Sequence, residues 1–389
     1  MISISFYLRK SFQVFGLLGM FVGVTACQIG GGAIGNGPSV RGQTVQVAML
    51  LPVGSGQAGD AVISRNLENA ARIAAADISD VSIDITVYDT AGQAARAATV
   101  AAQAVSNGAD VIVGPLRSDA AAAVGVAVAN SNVNVLSFSN NTEIAGGNVF
   151  VLGHTFANTA NRIVRYAASR GRDQIVVTHA ENLAGQVARD AVVRAAQTSG
   201  ATILGVVPYE FSQTGVTRAV PQIVDLVRQN GAEGLMLTSL SAGALPFFAQ
   251  LLPENGLDIT QIQLMGLARW DTPPQILEFD GLQGGWFAVP DPSAAADFNA
   301  RYSATYGESA HILAALGYDA VLAVGATASR SGSLSAGDFV SAGSINGANG
   351  VFRLLRDGTN QRAMAIAQIL NNQVAIIDPA PRRLGGFGS

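Results

Sequence analysis

The sequence predicts an α/β fold of two doubly wound lobes with parallel sheets, joined by several crossovers and separated by a cleft. From residue 44 onward, short apolar runs rich in β-branched residues alternate with helix-length segments, as in parallel βαβ units. A second series of the same kind begins after residue 154. The 389 residues are enough for two domains, and the hydrophobic content of 49% is that of a folded protein.

The N-terminus has the pattern of a secretion signal. Two positive charges, Arg9 and Lys10, precede an apolar run over residues 14–24 that is too short to predict a membrane span. Small residues then lead to Cys27, the single cysteine of the chain. The pattern resembles a bacterial lipoprotein signal, with residues 1–26 removed and lipid on the Cys27 thiol. The alternative is an ordinary secretory signal with an unrelated cysteine.

A lipid on Cys27 would tether the protein to a membrane on its periplasmic side. Residues 27–43 are rich in glycine and predict a flexible tether. Gln28 stands where aspartate marks inner-membrane retention in many Gram-negative lipoproteins. The expected location is therefore the outer membrane if the cell is Gram-negative.

The first alternating series predicts four strands and three helices before the chain leaves the first lobe near residues 150–154. Each strand is a short run of apolar residues, and each helix is a longer segment of good helix formers. The predicted strands are residues 45–51, 83–88, 109–113 and 133–136, and the predicted helices are residues 60–78, 93–106 and 120–130.

The second series repeats the pattern and then changes after residue 286. Two long helices and a late pair of strands around the turn Asp357-Gly358 suggest a chain that crosses between the lobes more than once. The helices are predicted at residues 159–169, 183–198, 216–229, 242–252, 293–306 and 312–329, and the strands at 174–178, 202–208, 234–237, 261–265, 352–355 and 364–370.

Polar residues follow the carboxyl ends of two neighbouring predicted strands. Gly114-Pro115 ends one strand, and Ser118 stands before an alanine-rich helix as an N-cap would. Ser137, Ser139 and Asn140 follow the next strand. Open α/β sheets bind ligands at this edge, where helix N–H groups and hydroxyls collect. The alternative is that Ser118 only caps its helix and the other serines only make a turn.

The segment from Gly54 to Gly59 matches the spacing G-x-G-x-x-G, so a dinucleotide site has to be considered. Two residues separate the strand from the first glycine, and no acid marks a ribose site at the usual spacing. We therefore interpret the segment as the glycine-rich mouth of a ligand cleft, with Ser55 and Gly56 facing the ligand. No cofactor is expected.

Charge and motifs argue against catalysis and nucleic-acid binding. The formal net charge is −4 and no basic block occurs, which is unlike a nucleic-acid partner. His154, His179 and His311 are far apart in sequence, so no metal site is expected. A G-x-S-x-G nucleophile motif is absent. The chain is expected not to be an enzyme, and His179 with Glu181 is the one pair to test for chance activity.

In order and spacing, these features resemble the type I periplasmic binding fold of the leucine/isoleucine/valine-binding class. Within it, the chain is most similar to the penicillin-binding-protein activator group of lipoproteins. The residues that carry the resemblance are 50–56, Asp89, 114–118, 137–140, Phe150, 266–271, 284–292, 318–320, 350–353 and 377–381.

The resemblance implies a first lobe of residues 44–151 and 290–340, and a second of 152–289 and 341–389. It also implies that Ser118, Ser137 and Ser139 hold the carboxylate and ammonium of an amino-acid-like ligand. The candidates from the second lobe are Trp270 and Asp271. Val151 and Asn158 depart from the family pattern, in which arginine and aspartate are common at those places.

Two functions follow from this resemblance, both non-catalytic and both compatible with a lipid anchor. The protein could bind a small amino-acid-like ligand, as the substrate-binding component of a branched-chain-type ABC transporter with a permease partner. It could instead use the fold to regulate peptidoglycan synthesis through contact with a synthase. A cleft already filled by side chains would favour regulation, and an open one would favour ligand binding.

Overall fold

The computed structural model describes residues 37–40 and 42–385, and the mixed α/β fold with mostly parallel sheets is confirmed. The predicted signal peptide, Cys27 and most of the predicted tether lie outside the described residues. Within those described, no helix combines the length and apolar character needed to cross a membrane.

The first sheet has five parallel strands in the order β2-β1-β3-β4-β5. Along the chain, its helices connect successive strands, as the alternating sequence pattern predicts. The strands are β1 (Val45–Leu51), β2 (Ile83–Asp89), β3 (Val111–Val113), β4 (Asn134–Ser137) and β5 (Val149–Val151), and the helices are α1 (Asp60–Asp77), α2 (Ala94–Ser106) and α3 (Ser118–Ala127).

The second sheet has seven strands in the order β15-β14-β10-β9-β8-β6-β7. Five are parallel, and β14 and β15 are antiparallel additions at one edge. The strands are β6 (Gln174–Ala180), β7 (Thr202–Tyr209), β8 (Gly234–Leu237), β9 (Gln263–Gly266), β10 (Trp286–Pro290), β14 (Met364–Leu370) and β15 (Gln373–Asp378), and the helices are α4 (Phe156–Ser169), α5 (Leu183–Ser199), α6 (Gln213–Gln229) and α7 (Leu245–Glu254).

Between β10 and β14 the chain returns to the first sheet. Helices α8 (Pro292–Tyr306), α9 (Ala314–Ser331) and α10 (Ala336–Ser341) come first. A small antiparallel sheet of β11 (Ile345–Gly347), β12 (Gly350–Leu354) and β13 (Asn360–Arg362) follows. The chain therefore passes between the two large sheets after β5, after β10 and after β13, and the multiple crossovers are confirmed.

The prediction of a late hairpin was wrong in its pairing. The turn at Asp357-Gly358 joins β12 to β13, whereas β14 pairs with β10 and β15 in the second sheet. Strands β5, β10, β11, β13 and β15 were not predicted, because they are short or lack a strong hydrophobic alternation.

Close helix packing joins the returning segment to the first sheet. Gly317 of α9 lies against α1 so tightly that a Cβ there would stand 2.2 Å from the Leu67 carbonyl oxygen. One hydrophobic core combines strands of the first sheet with α1, α9 and the small sheet, through residues such as Met49, Val321 and Phe352. The two faces of the second sheet carry separate cores.

Candidate functional site

A cavity of about 730 Å³ opens where loops after strands of both large sheets meet. Loops after β3, β4 and β5 form one wall, and loops after β8 and β9, together with β10 itself, form the other. Its apolar lining includes Leu116, Phe138, Phe156, Leu240, Leu267 and Leu316, and its polar lining is Arg117, Ser118, Asp119, Ser139, Asn140, Asn141, His154, Thr155, Thr159, Arg269 and Asn349.

The turn after β3 fixes the first wall. Gly114 has φ +92°, a left-handed conformation that favours glycine, and a Cβ there would lie 2.4 Å from the Leu50 carbonyl oxygen. Its N–H donates to Leu136 O at 2.8 Å. The turn therefore holds the start of α3, with Ser118, at the cavity.

The prediction that Ser118 caps α3 was wrong. The N-cap is Arg117, whose side chain makes no capping bond, and Ser118 is the first residue inside the helix. Among the described residues the Ser118 hydroxyl has no hydrogen-bond partner, although the residue is half-buried and lines the cavity. A free hydroxyl in this place is available to a ligand.

We expect Ser118→Ala to leave the free energy of unfolding within about 0.5 kcal/mol of wild type, because no cap is lost. If the hydroxyl binds the ligand, the affinity should fall by about 1–3 kcal/mol of binding free energy. Urea unfolding and calorimetric titration measure the two effects. Ser106→Ala is the matched control, since Ser106 only bonds its own helix at Ala102 O. Unchanged affinity in Ser118→Ala would remove Ser118 from the site.

The loop after β4 divides the predicted serines into two roles. Ser137 is fully buried, donates to Pro115 O at 3.0 Å and accepts from Ser139 N, so it holds the loop and does not line the cavity. Ser139 lines the cavity, and its hydroxyl accepts from Asn141 N at 3.0 Å. Asn140 is exposed at the cavity, and its side-chain amide makes no hydrogen bond to the described residues.

Ser55 and Gly56 do not line the cavity. Ser55 donates to Asp60 at 2.5 Å, and Arg117 binds both Asp60 oxygens at 2.9 and 3.1 Å. Burial alone would raise the pKa of Asp60, but hydrogen bonds from Arg117 and Ser55 lower it below its ordinary value. The glycine-rich loop is thus tied to the start of α1 by its own side chains, which leaves these two residues in a structural cluster.

The two second-lobe candidates also lie outside the cavity lining. Trp270 has no exposed surface and packs on Phe287 in a core of the second sheet, so a ligand in the cavity cannot touch it. Asp271 accepts from Arg269 at 2.8 Å and 2.5 Å. The neighbour that does line the cavity is Arg269, held by this bidentate pair.

His154 is a residue of the cavity wall that the sequence did not indicate as a binding residue. Both ring nitrogens are buried and have no hydrogen-bond partner among the described residues. Burial, with the positive charges of Arg362 and Arg269, lowers the pKa of His154 to about 3. The imidazole is therefore neutral at physiological pH.

A buried polar network joins two of the segments that cross between the sheets. Arg362 pairs with Asp319 at 2.7 Å, with 2% and 0% of the side chains exposed, and also donates to Leu152 O. Asn158 bonds Asn360 and accepts from Arg362 N. The asparagine at 158, which departs from the family pattern, has this structural role beside the cavity.

The other candidates for chemistry do not assemble. His179 is buried and its Nδ1 lies 2.8 Å from Ala180 O, and neither it nor Glu181 lines the cavity. Within residues 37–40 and 42–385, no three His, Cys, Asp or Glu side chains could together hold a metal ion.

Comparison with known proteins gives a family match over most of the chain. The sequence model of the periplasmic binding protein family matches residues 44–373. Among curated protein sequences, none matches significantly.

Solved structures with the same fold include three with about the same low identity. A putative branched-chain amino acid ABC transporter from Rhodospirillum rubrum has 17% identity and a TM-score of 0.70, over 86% of this chain and 100% of that one. A substrate-binding protein from Desulfitobacterium hafniense in complex with Leu has 17% identity and a TM-score of 0.62, over 86% of this chain and 100% of that one. A solute-binding protein from Rhodopseudomonas palustris BisB5 in complex with 3,4-dihydroxy benzoic acid has 18% identity and a TM-score of 0.56, over 87% of this chain and 96% of that one. At these identities the likeness shows the fold alone.

Proposed function

The chain belongs to the periplasmic binding protein family, and from this premise we propose that it captures a small carboxylate-bearing, amino-acid-like solute for an ABC transporter. The cavity between the two large sheets is the proposed binding site. The single observation that carries the proposal is that this cavity is open and lined by groups that can donate hydrogen bonds, among them Ser118 and Arg269. A permease in the membrane is the proposed partner.

We propose that the two large sheets mark two lobes that close on the solute. The first lobe would comprise residues 44–151 and 290–340, and the second 152–289 and 341–389. Strands β11 and β12 share a hydrophobic core with the first sheet through Ile345 and Phe352, which supports moving residues 341–362 to the first lobe. Closure would exclude water and strengthen the hydrogen bonds to the solute.

Regulation of a peptidoglycan synthase is the alternative function. A cleft filled by side chains would favour regulation, whereas the observed cavity of about 730 Å³ favours the binding of a ligand. A thermal-shift screen of amino acids and other small carboxylates, beside a pull-down from envelope extracts with synthases as the readout, separates the two. We expect a carboxylate to raise the melting temperature. Capture of a synthase with no thermal shift by any carboxylate would replace this proposal with regulation.

We further propose that the protein faces the periplasm on a lipid attached at Cys27, with the outer membrane favoured in a Gram-negative cell. The support is the placement of the sole cysteine after the apolar run and the small residues Thr25 and Ala26. Cys27→Ser should leave the protein unprocessed or soluble, without lipid, because no other thiol can accept it. Mass spectrometry of the membrane fraction tests this. An unmodified Cys27 in membrane-bound protein would contradict it.

A further inference from the structure

Three hydroxyl groups of the cavity are free to donate hydrogen bonds. The hydroxyl of Ser118 is free, as described above. The hydroxyl oxygens of Ser139 and Thr155 accept from backbone N–H groups at 3.0 and 3.3 Å, and neither hydroxyl donates a bond within the described residues. Each of the three can therefore still donate its proton to a ligand. A ligand that satisfies them presents acceptor oxygens.

Arg269 adds a positive charge from the opposite wall. Its Nε and Nη2 bind Asp271, and in the described part of the chain its Nη1 makes no hydrogen bond. The pairing holds the guanidinium in one plane and leaves one edge for a carboxylate. Asp271 itself does not line the cavity, so it is not placed to receive a ligand's ammonium.

Asp119 is the single acidic side chain in the cavity lining. It is exposed, in the first turn of α3, where solvent screens its charge. A zwitterionic ligand would bury its ammonium without a buried acid to pair with, and an unpaired buried charge is costly.

The buried surroundings of His154 point the same way. Burial is the main reason why a proton on this imidazole is disfavoured, and the charges of Arg362 and Arg269 add to its effect. The same charges and the same desolvation disfavour an ammonium group placed beside the ring.

We infer that the cavity selects carboxylates that lack an ammonium group, aliphatic or aromatic acids, over the corresponding amino acids. The inference rests on the proposed function and narrows its solute class. The carboxylate is received by Arg269 and by the hydroxyls of Ser118, Ser139 and Thr155. The apolar wall, which includes Leu116, Phe138 and Leu267, receives the hydrocarbon part.

Matched probes test the inference by calorimetric titration of the purified protein. Leucine is compared with 4-methylpentanoate, which differs only in lacking the amino group, and phenylalanine with 3-phenylpropanoate. The amine 3-methylbutylamine carries the ammonium without the carboxylate. We expect the deaminated acid of at least one pair to bind at least tenfold more tightly than its amino acid, and the amine not to bind.

Two variants identify the groups responsible. Arg269→Gln should lower the affinity for the acid at least tenfold. Asp119→Asn should change its affinity less than twofold, because Asp119 receives no ammonium. Equal or tighter binding of both amino acids would overturn the inference and keep the proposed function, and loss of their binding in Asp119→Asn would identify Asp119 as the partner of the ammonium. Binding of none of the five probes, with no thermal shift by any carboxylate of the screen, would overturn both.

Discussion

Replacing Arg362 with methionine should lower the free energy of unfolding by about 3–5 kcal/mol, because it leaves a buried carboxylate without its partner. Asp319 is fully buried, 2.7 Å from Arg362, and its other oxygen accepts from Ala348 N. The substitution also removes the donors to Leu152 O. Urea unfolding followed by circular dichroism measures the loss.

Arg301→Met is the matched control for this prediction. Arg301 pairs with Asp77 at 2.6 Å, but 49% and 32% of the two side chains are exposed. A solvent-exposed pair contributes about 0–1 kcal/mol, so the control should lose little. If both variants lost the same small amount, the network around Arg362 would not hold the crossing segments together. An Arg362→Met/Asp319→Leu double variant should recover part of the loss, since no buried charge is left unpaired.

Acid should destabilise the protein through His154, by up to about 3 kcal/mol between pH 7 and pH 4. The pKa of His154 is lowered from its ordinary value of 6.5 to about 3 by burial and by the charges of Arg362 and Arg269. Between pH 6.5 and about pH 3, this side chain binds a proton in the unfolded chain but not in the folded protein. The contribution of His154 to stability is therefore fully present above pH 6.5 and is lost as the pH falls toward the folded-state pKa.

His154→Gln isolates this effect, because glutamine does not titrate and every other group is shared. Unfolding free energies of both proteins are measured by urea titration at pH 7, 5.5 and 4. The difference between wild type and variant should move in favour of the variant as the pH falls. A difference that stays constant across these pH values would show that His154 takes up its proton in the folded state.

The fold could be predicted because its long elements carry strong hydrophobic patterns. Buried parallel strands such as β1 and β6 are mostly apolar, and the helices between strands have clear lengths. Short edge strands such as β5 and β13 carry three residues each, too few for a pattern. The pairing of β14 with β10 depends on contacts distant in sequence, which local pattern cannot reveal.

The site was predicted in part. Ser118, Ser139 and Asn140 line the cavity, because the carboxyl ends of neighbouring parallel strands share one sheet edge. Trp270 was misplaced because an aromatic near a predicted strand end fits a core as well as a cleft, and only the packing with Phe287 decides. His154 and Arg269 carry no motif of their own. Arg269 lies within the segment 266–271 that marked the resemblance, which was the available signal.

The most direct test of the central claim, that the cavity binds a small carboxylate, is calorimetric titration of wild type and Ala268→Trp with the amino acids and deaminated acids above. Ala268 lines the cavity, and an indole there would occupy the space that a buried ligand needs. Ala102→Trp, on an exposed face of α2, is the control. We expect wild type and control to bind alike and Ala268→Trp to lose on the order of 100-fold in affinity or more. Equal affinity in all three proteins would place the ligand elsewhere and contradict the account.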